Sequence, residues 1–229
     1  EPDSPTDSEN QVCYPDADFS YQRCYDLVDV DPSWGSDYDY PTPYQGSAQY
    51  RAPSRFIDLN SVALSDSLAP NFVLSEFMHP AKGRYSLFQV HVVEKLQELR
   101  ELSGGPLNIN SGYRNPDYNA QVGGAASSRH IYGDAADMYS SVLSLEELGG
   151  LCEQLNAGFI KLYETHVHCD WRYDTLDDAF YDPANSLQAA QAPSIEVELH
   201  STADGVLWTT SEGFDEGEPL RRWTAYDDQ

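Results

Sequence analysis

Basic side chains are scarce in this sequence. Thirteen lysines and arginines stand against 38 aspartates and glutamates, a formal charge of −25 over 229 residues. Phosphate backbones are bound chiefly by lysine and arginine, so this balance excludes a nucleic-acid partner. It equally excludes docking on an anionic membrane surface. No run of about 18 apolar residues occurs, so no membrane span is expected. No charged-then-apolar leader opens the sequence, which leaves a removed signal and a trimmed terminus both open. Cysteine is also sparse. Cys13, Cys24, Cys152 and Cys169 include no C-x-x-C spacing, which excludes the common structural zinc arrangements. Their even number, the closeness of Cys13 to Cys24 and the acidic composition favour an oxidising, extracytoplasmic setting (periplasmic, cell-surface or secreted). Four buried free thiols in a cytosolic protein are the alternative. No internal repeat is found, and a monomer is the expected state.

What is present suffices for a core, with 40% hydrophobic residues and 16 tyrosines. Residues 1–54 read as an irregular acidic arm, rich in tyrosine and proline and stapled by Cys13 and Cys24. Eleven acidic residues and one basic residue, Arg23, lie in the first fifty. A regular domain is expected over 55–192. Phe56, Ile57 and Leu59 suggest a strand. A helix is predicted from Ser86 to Leu102, with Ser86 and Gln89 as a capping box and Gly104, Gly105 and Pro106 as its stop. Leu107–Asn110 reads as a strand. Asn115-Pro116 starts a short helix, and Ser144 with Glu147 caps another running to Leu155. Phe159–Tyr163 and His166–Asp170 read as two strands around a tight turn at Thr165. A third region, 193–229, is predicted to hold a β-hairpin about Ala203-Asp204-Gly205. Strands and helices segregate, so the fold class is α+β.

Three of the six histidines fall between residues 130 and 168. His166 and His168 are two apart on a predicted strand, so both rings share one face and Cys169 takes the other. His130 lies seven before Asp137, with the small Gly133, Ala135 and Ala136 between them. Zinc accepts imidazole and carboxylate, and catalytic zinc takes three protein ligands and a water. Strand parity carries a second expectation. If His166 and His168 face a metal, Cys169 faces the helix carrying Cys152, and a Cys152–Cys169 disulfide would lock ligand strand to helix.

The pattern S-x-H-x-x-G-x-A-x-D over Ser128–Asp137, followed by His166-Val167-His168, resembles the zinc D-Ala-D-Ala carboxypeptidases. These are relatives of lysostaphin-like endopeptidases, vancomycin-resistance dipeptidases and the hedgehog signalling domain. Asn71–Phe77, the turn Asn110-Ser111-Gly112-Tyr113-Arg114-Asn115-Pro116, Asn119–Ala125 and His166–Arg172 extend the resemblance across about residues 71–172. It implies a hedgehog/DD-peptidase-like fold, a mainly antiparallel central sheet with helices on one face. It implies zinc held by His130, Asp137 and His168, with His166 as base or oxyanion support. Arg114 would bind the substrate's carboxylate or polarise the scissile carbonyl, a surface salt bridge being its bland alternative. Ser128 is a candidate substrate contact or a bond to a backbone amide. Tyr113 and Tyr132 are candidates for the cleft lining, or core residues. The dipeptidase branch places a glutamate three before the last ligand, where this sequence has Thr165, so the base falls to His166.

Two functions follow from the resemblance. One is a zinc peptidase cleaving bonds next to D-amino acids in peptidoglycan, with His166 and Arg114 in the roles above. The other is a hedgehog-like zinc-containing binding module without peptidase activity, favoured by a fourth protein ligand or a covered cleft.

Overall fold

Alternation of buried and exposed side chains begins well inside the acidic arm. Val12 and Tyr14 turn inward and Cys13 outward along β1 (Gln11–Pro15), and Tyr25 and Leu27 turn inward along β2 (Gln22–Asp29). The two strands pair antiparallel with Cys13 directly opposite Cys24, and a disulfide joins them. The expectation of an irregular arm is therefore corrected. Its period-two pattern is that of a sheet with one face on a core. The computed structural model describes residues 10–18, 22–44, 47–181, 198–201 and 207–210.

β3 (Arg55–Asp58) adds to β2 with Phe56 and Ile57 fully buried. A small hairpin of β4 (Ser67–Ala69) and β5 (Phe72–Val73) leads into the single turn α1 (Leu74–Phe77). β6 (Tyr85–Ser86) then completes an antiparallel sheet in the order β1-β2-β3-β6. This pairing shortens the first long helix. The predicted start at Ser86 gives way to α2 (Val90–Leu102), because Ser86 is in a strand and bonds the Gly83 carbonyl (2.8 Å). Gln89 caps no helix with its side chain. It donates instead to the Tyr132 carbonyl (2.9 Å) and accepts from the Asp177 amide (2.8 Å).

The second sheet comprises β7 (Leu107–Ser111), β8 (Ala135–Ser140), β9 (Phe159–Leu162) and β10 (Val167–Asp170), ordered β7-β8-β10-β9 and antiparallel throughout. Between β7 and β8 lies α3 (Pro116–Gln121), capped by Asn115, whose side chain accepts from the Tyr118 amide (2.7 Å). Between β8 and β9 lies α4 (Leu145–Gln154), opened by the Ser144–Glu147 capping box. Both starts agree with the sequence. α4 lies on the sheet face bearing Val167 and Cys169, and the Cys152–Cys169 disulfide fixes it there, as parity predicted. The opposite face is left for Asp137 and His168, which are register partners. Among the described residues the fold is thus mixed α and β with antiparallel sheets and few helices.

The arm is bonded to this body along its length. Tyr14 Oη donates to the Phe88 carbonyl, and the Trp34 ring stacks on Tyr85 at 3.6 Å between centroids. Tyr40 Oη donates to the Ile131 carbonyl (2.9 Å), and Tyr132 Oη to that of Tyr50 (3.3 Å). The described residues from 10 to 181 form one compact unit. In a second unit, 192–229, β11 (Glu198–Ser201) pairs antiparallel with β12 (Leu207–Thr210). The expected turn at Ala203-Asp204-Gly205 lies outside the described residues.

Candidate metal centre

Register places Ser111, Asp137 and His168 side by side on β7, β8 and β10, facing away from α4. His130 arrives from a three-ten turn, Arg129–Tyr132, closed by Gly133 at φ 68°. Glycine is required there on two counts. The angle is left-handed, and a Cβ would lie 2.6 Å from Leu87 Cδ1 and 2.7 Å from the Leu87 carbonyl oxygen. The turn itself is held by Arg129, which is fully buried and ion-paired to Asp134. Its guanidinium lies 4.8 Å from the Tyr50 ring centroid and 4.7 Å from that of Tyr132.

Three polar atoms converge on this face. Asp137 Oδ1 is 3.1 Å from His130 Nε2 and 2.9 Å from His168 Nδ1, and the two nitrogens are 3.1 Å apart. His130, Asp137 and His168 are 2%, 7% and 9% exposed, so water does little to screen the group. The outer nitrogen of each ring determines the tautomer. His130 Nδ1 is 2.7 Å from the Gly112 carbonyl, which can only accept, so Nδ1 carries the proton. His168 Nε2 is 3.1 Å from Asp170 Oδ2. Burial would raise the Asp170 carboxyl's pKa, but Arg172, bonded to both its oxygens at 2.8 Å, and His168 hold it below the usual range. Asp170 therefore accepts, and His168 Nε2 carries that proton. Both inward nitrogens then present lone pairs to a carboxylate oxygen. Three acceptors about 3 Å apart repel one another unless a cation sits among them. Two imidazoles and a carboxylate, each imidazole steadied from behind, fit a divalent zinc-type ion. Without an ion, protons take its place between these atoms. Burial would raise the Asp137 carboxyl's pKa, yet imidazole N–H donors then hold it well below the usual range, and bonds to Asp137 and Asp170 outweigh burial and raise the pKa of His168.

His166 stands at the rim, where the β9–β10 turn is closed by a bond from the Tyr163 amide to its carbonyl (2.9 Å). Its ring stacks on Tyr163 at 4.6 Å, and Nδ1 lies 3.1 Å from Thr165 Oγ1. Nε2 is left facing the cluster, 4.0 Å from Asp137 Oδ1. Arg114 ion-pairs with the other Asp137 oxygen, Oδ2, and donates from Nε to Ser111 Oγ (2.8 Å). Five of the eight residues singled out from sequence thus meet here. The other three do not join them by a described contact. Ser128 precedes the turn and makes no side-chain cap bond. Tyr113 and Tyr132 are fully buried, with hydroxyls on Tyr40 and on the Tyr50 carbonyl. Sequence reasoning passed over Asp170, although it shares the parity of His166 and His168, and over the Gly112 carbonyl, which carries no side-chain signal.

Fold and centre together define a mixed α/β protein with a His–Asp–His group suited to a metal ion, an imidazole and a guanidinium beside it. Comparison with known families places it further. Residues 70–170 match the model of the Peptidase M15 family, and that segment is similar to it. A zinc D-Ala-D-Ala carboxypeptidase from Streptomyces albus G is 49% identical over 45 residues, 19% of this chain and 18% of the relative. The chain thus aligns with about a fifth of that relative's length.

Proposed function

We propose that this chain is a zinc peptidase of the extracytoplasmic space, with a hedgehog/DD-peptidase-like fold, hydrolysing peptide bonds next to D-amino acids in peptidoglycan. The observation that carries the reading is the triangle of inward acceptors on His130, Asp137 and His168 with His166 Nε2 at its edge. Among the described residues the group has three members, which is the number that leaves a catalytic ion an open position. Bound there, zinc supplies a Lewis acid and brings the pKa of a water to about 7. His166 accepts a proton from the attacking water at Nε2 and returns it to the departing amine nitrogen. Thr165 Oγ1 and the Tyr163 ring keep that nitrogen inward. Arg114 offers its remaining N–H groups to the carbonyl oxygen or to a carboxylate of the substrate. Both disulfides suit an oxidising compartment, and among the described residues no helix is long and apolar enough to cross a membrane.

The zinc-loaded protein is expected to release D-alanine from muropeptides ending in D-Ala-D-Ala. Chelation and His166→Ala are each expected to reduce that release by at least about 100-fold, the scale of a lost general base. Amino-acid analysis of the digest reads it out. Zinc-loaded protein inert on every cell-wall peptide would sink the proposal.

A further inference from the structure

Where the arm crosses α3 it leaves a cleft of about 400 Å³, within the range of about 300–1,000 Å³ usual for small-molecule sites. Trp34, Asp37 and Tyr38 of the arm line it on one side. Asp117, Tyr118 and Gln121 of α3 line it as well, together with Arg84 and Tyr85. The arm's three residues lie outside the segment that matches the Peptidase M15 model, so the cleft exists only through what the arm adds. Asn115 also lines it and directly follows Arg114, which pairs with Asp137. The cleft thus begins one residue from a guanidinium of the metal centre.

Its aromatic surface is fixed and partly exposed. The Trp34 and Tyr85 rings stack with their planes 8° apart, and Tyr38 meets them edge-on at 5.2 and 5.8 Å. Tyr38 Oη accepts from the Tyr85 amide (2.8 Å), which ties the three together. Such a platform takes an apolar face. Two carboxylates stand by it. Among the described residues neither Asp37 nor Asp117 has an ion-pair partner, and Asp117 accepts a bond from Gln121 Nε2. Arg84 is committed elsewhere, because Asp58 holds it through two bonds (2.9 and 2.6 Å).

These features narrow the ligand. Carboxylates without a cation repel phosphates, nucleotides and peptide carboxylates. The Arg84 guanidinium already lies 4.8 Å from the Tyr85 ring centroid, which disfavours a second cation there. What fits is neutral, with an apolar face for the rings and hydroxyl donors for the carboxylates. A pyranose ring has both, a face of C–H groups and a rim of O–H groups.

We propose that this cleft binds a neutral saccharide, the glycan strand to which the peptide substrate is attached. In peptidoglycan the sugar's carboxylate is consumed by its amide bond to the peptide, so the strand suits an acidic cleft. The choice of strand rests on the peptidase reading above, whereas the saccharide chemistry rests on the cleft alone. Asp37 and Asp117 accept from sugar hydroxyls, and the surface of Trp34, Tyr38 and Tyr85 carries the C–H face. A glycan held there keeps its peptide beside the metal centre.

The test titrates tetra-N-acetylchitotetraose, and cellotetraose beside it, into the full chain by calorimetry. Saturable binding of the chitotetraose is expected. Asp37→Asn and Asp117→Asn are each expected to weaken it by about 10-fold, the scale of a charge-assisted hydrogen bond. Trp34→Ala is expected to abolish it; if that variant fails to fold, the two aspartate variants decide, since neither side chain is buried. No saturable binding by the parent, or full affinity in both aspartate variants, would overturn the proposal. Equal or tighter binding of cellotetraose would overturn the assignment to the wall glycan. On the zinc-loaded parent, peptide carried on glycan chains is expected to show a lower KM than the same peptide free. Asp37→Asn is expected to narrow that gap, raising KM more than it lowers kcat. If no peptide is cleaved, the peptidase reading fails, and the saccharide titration still decides on the cleft.

Discussion

Two outer nitrogens, His130 Nδ1 and His168 Nε2, fit a pair of ordinary imidazoles for the proposed metal centre. Each gives its proton to an acceptor behind it, and so frees the nitrogen that faces Asp137. For His130 the acceptor is a backbone carbonyl that mutation cannot remove. For His168 it is Asp170, fully buried and itself held by Arg172. Asp170→Ala would release the His168 ring and allow the wrong tautomer. Zinc affinity is expected to fall by about 10–100-fold, the usual effect of losing such a partner, in competition with a chromophoric chelator. Unchanged affinity would mean that packing alone orients the ring. The candidate ligands His130, Asp137 and His168 were named from the sequence through the family resemblance, strand parity adding only that His166 and His168 share a face. By the same parity Asp170 belongs to that face. The bond from Lys82 to the Asn110 carbonyl was not legible, because it joins residues 28 apart that only the folded chain brings together.

Element by element, the local signals that succeeded are those whose partners lie within a few residues. Asn115-Pro116 and the Ser144–Glu147 box each satisfy their own helix ends, so sequence and structure agree there. Ser86 and Gln89 imitate such a box but serve distant partners, β3 and the Tyr132 carbonyl, so the helix starts at Val90. The strands of the arm were masked by their acidic, proline-rich surroundings, although Val12–Tyr14 and Tyr25–Leu27 already alternate. The three-ten turn carrying His130 depends on its end at Gly133. In Gly133→Ala the left-handed angle alone costs about 1–2 kcal/mol. Overpacking against Leu87 adds about 1–3 kcal/mol. A lower Tm and weaker zinc binding are expected together in thermal melts with and without zinc. A normal Tm would show that the turn rearranges freely.

Over the whole molecule, a charge of −25 opposes an anionic peptide at long range, while in the proposed reading Arg114 attracts its carboxylate at short range. Salt screens the first far more than the second, because the Debye length falls from about 30 Å at 0.01 M to about 8 Å at 0.15 M. For a carboxylate-ended substrate, kcat/KM is expected to rise severalfold over that range in stopped-time assays. A fall would show that the distant field steers substrate in rather than repelling it. The way the arm is attached has another consequence, which concerns the order in which the chain is made. Residues 10–44 are synthesised before the groups that receive them, since Tyr14 waits for Phe88 and Tyr40 for Ile131. This segment is thus made before its partners and settles after them, Tyr40 reaching the turn that carries His130. That turn takes its Tyr40 bond from chain translated 91 positions earlier.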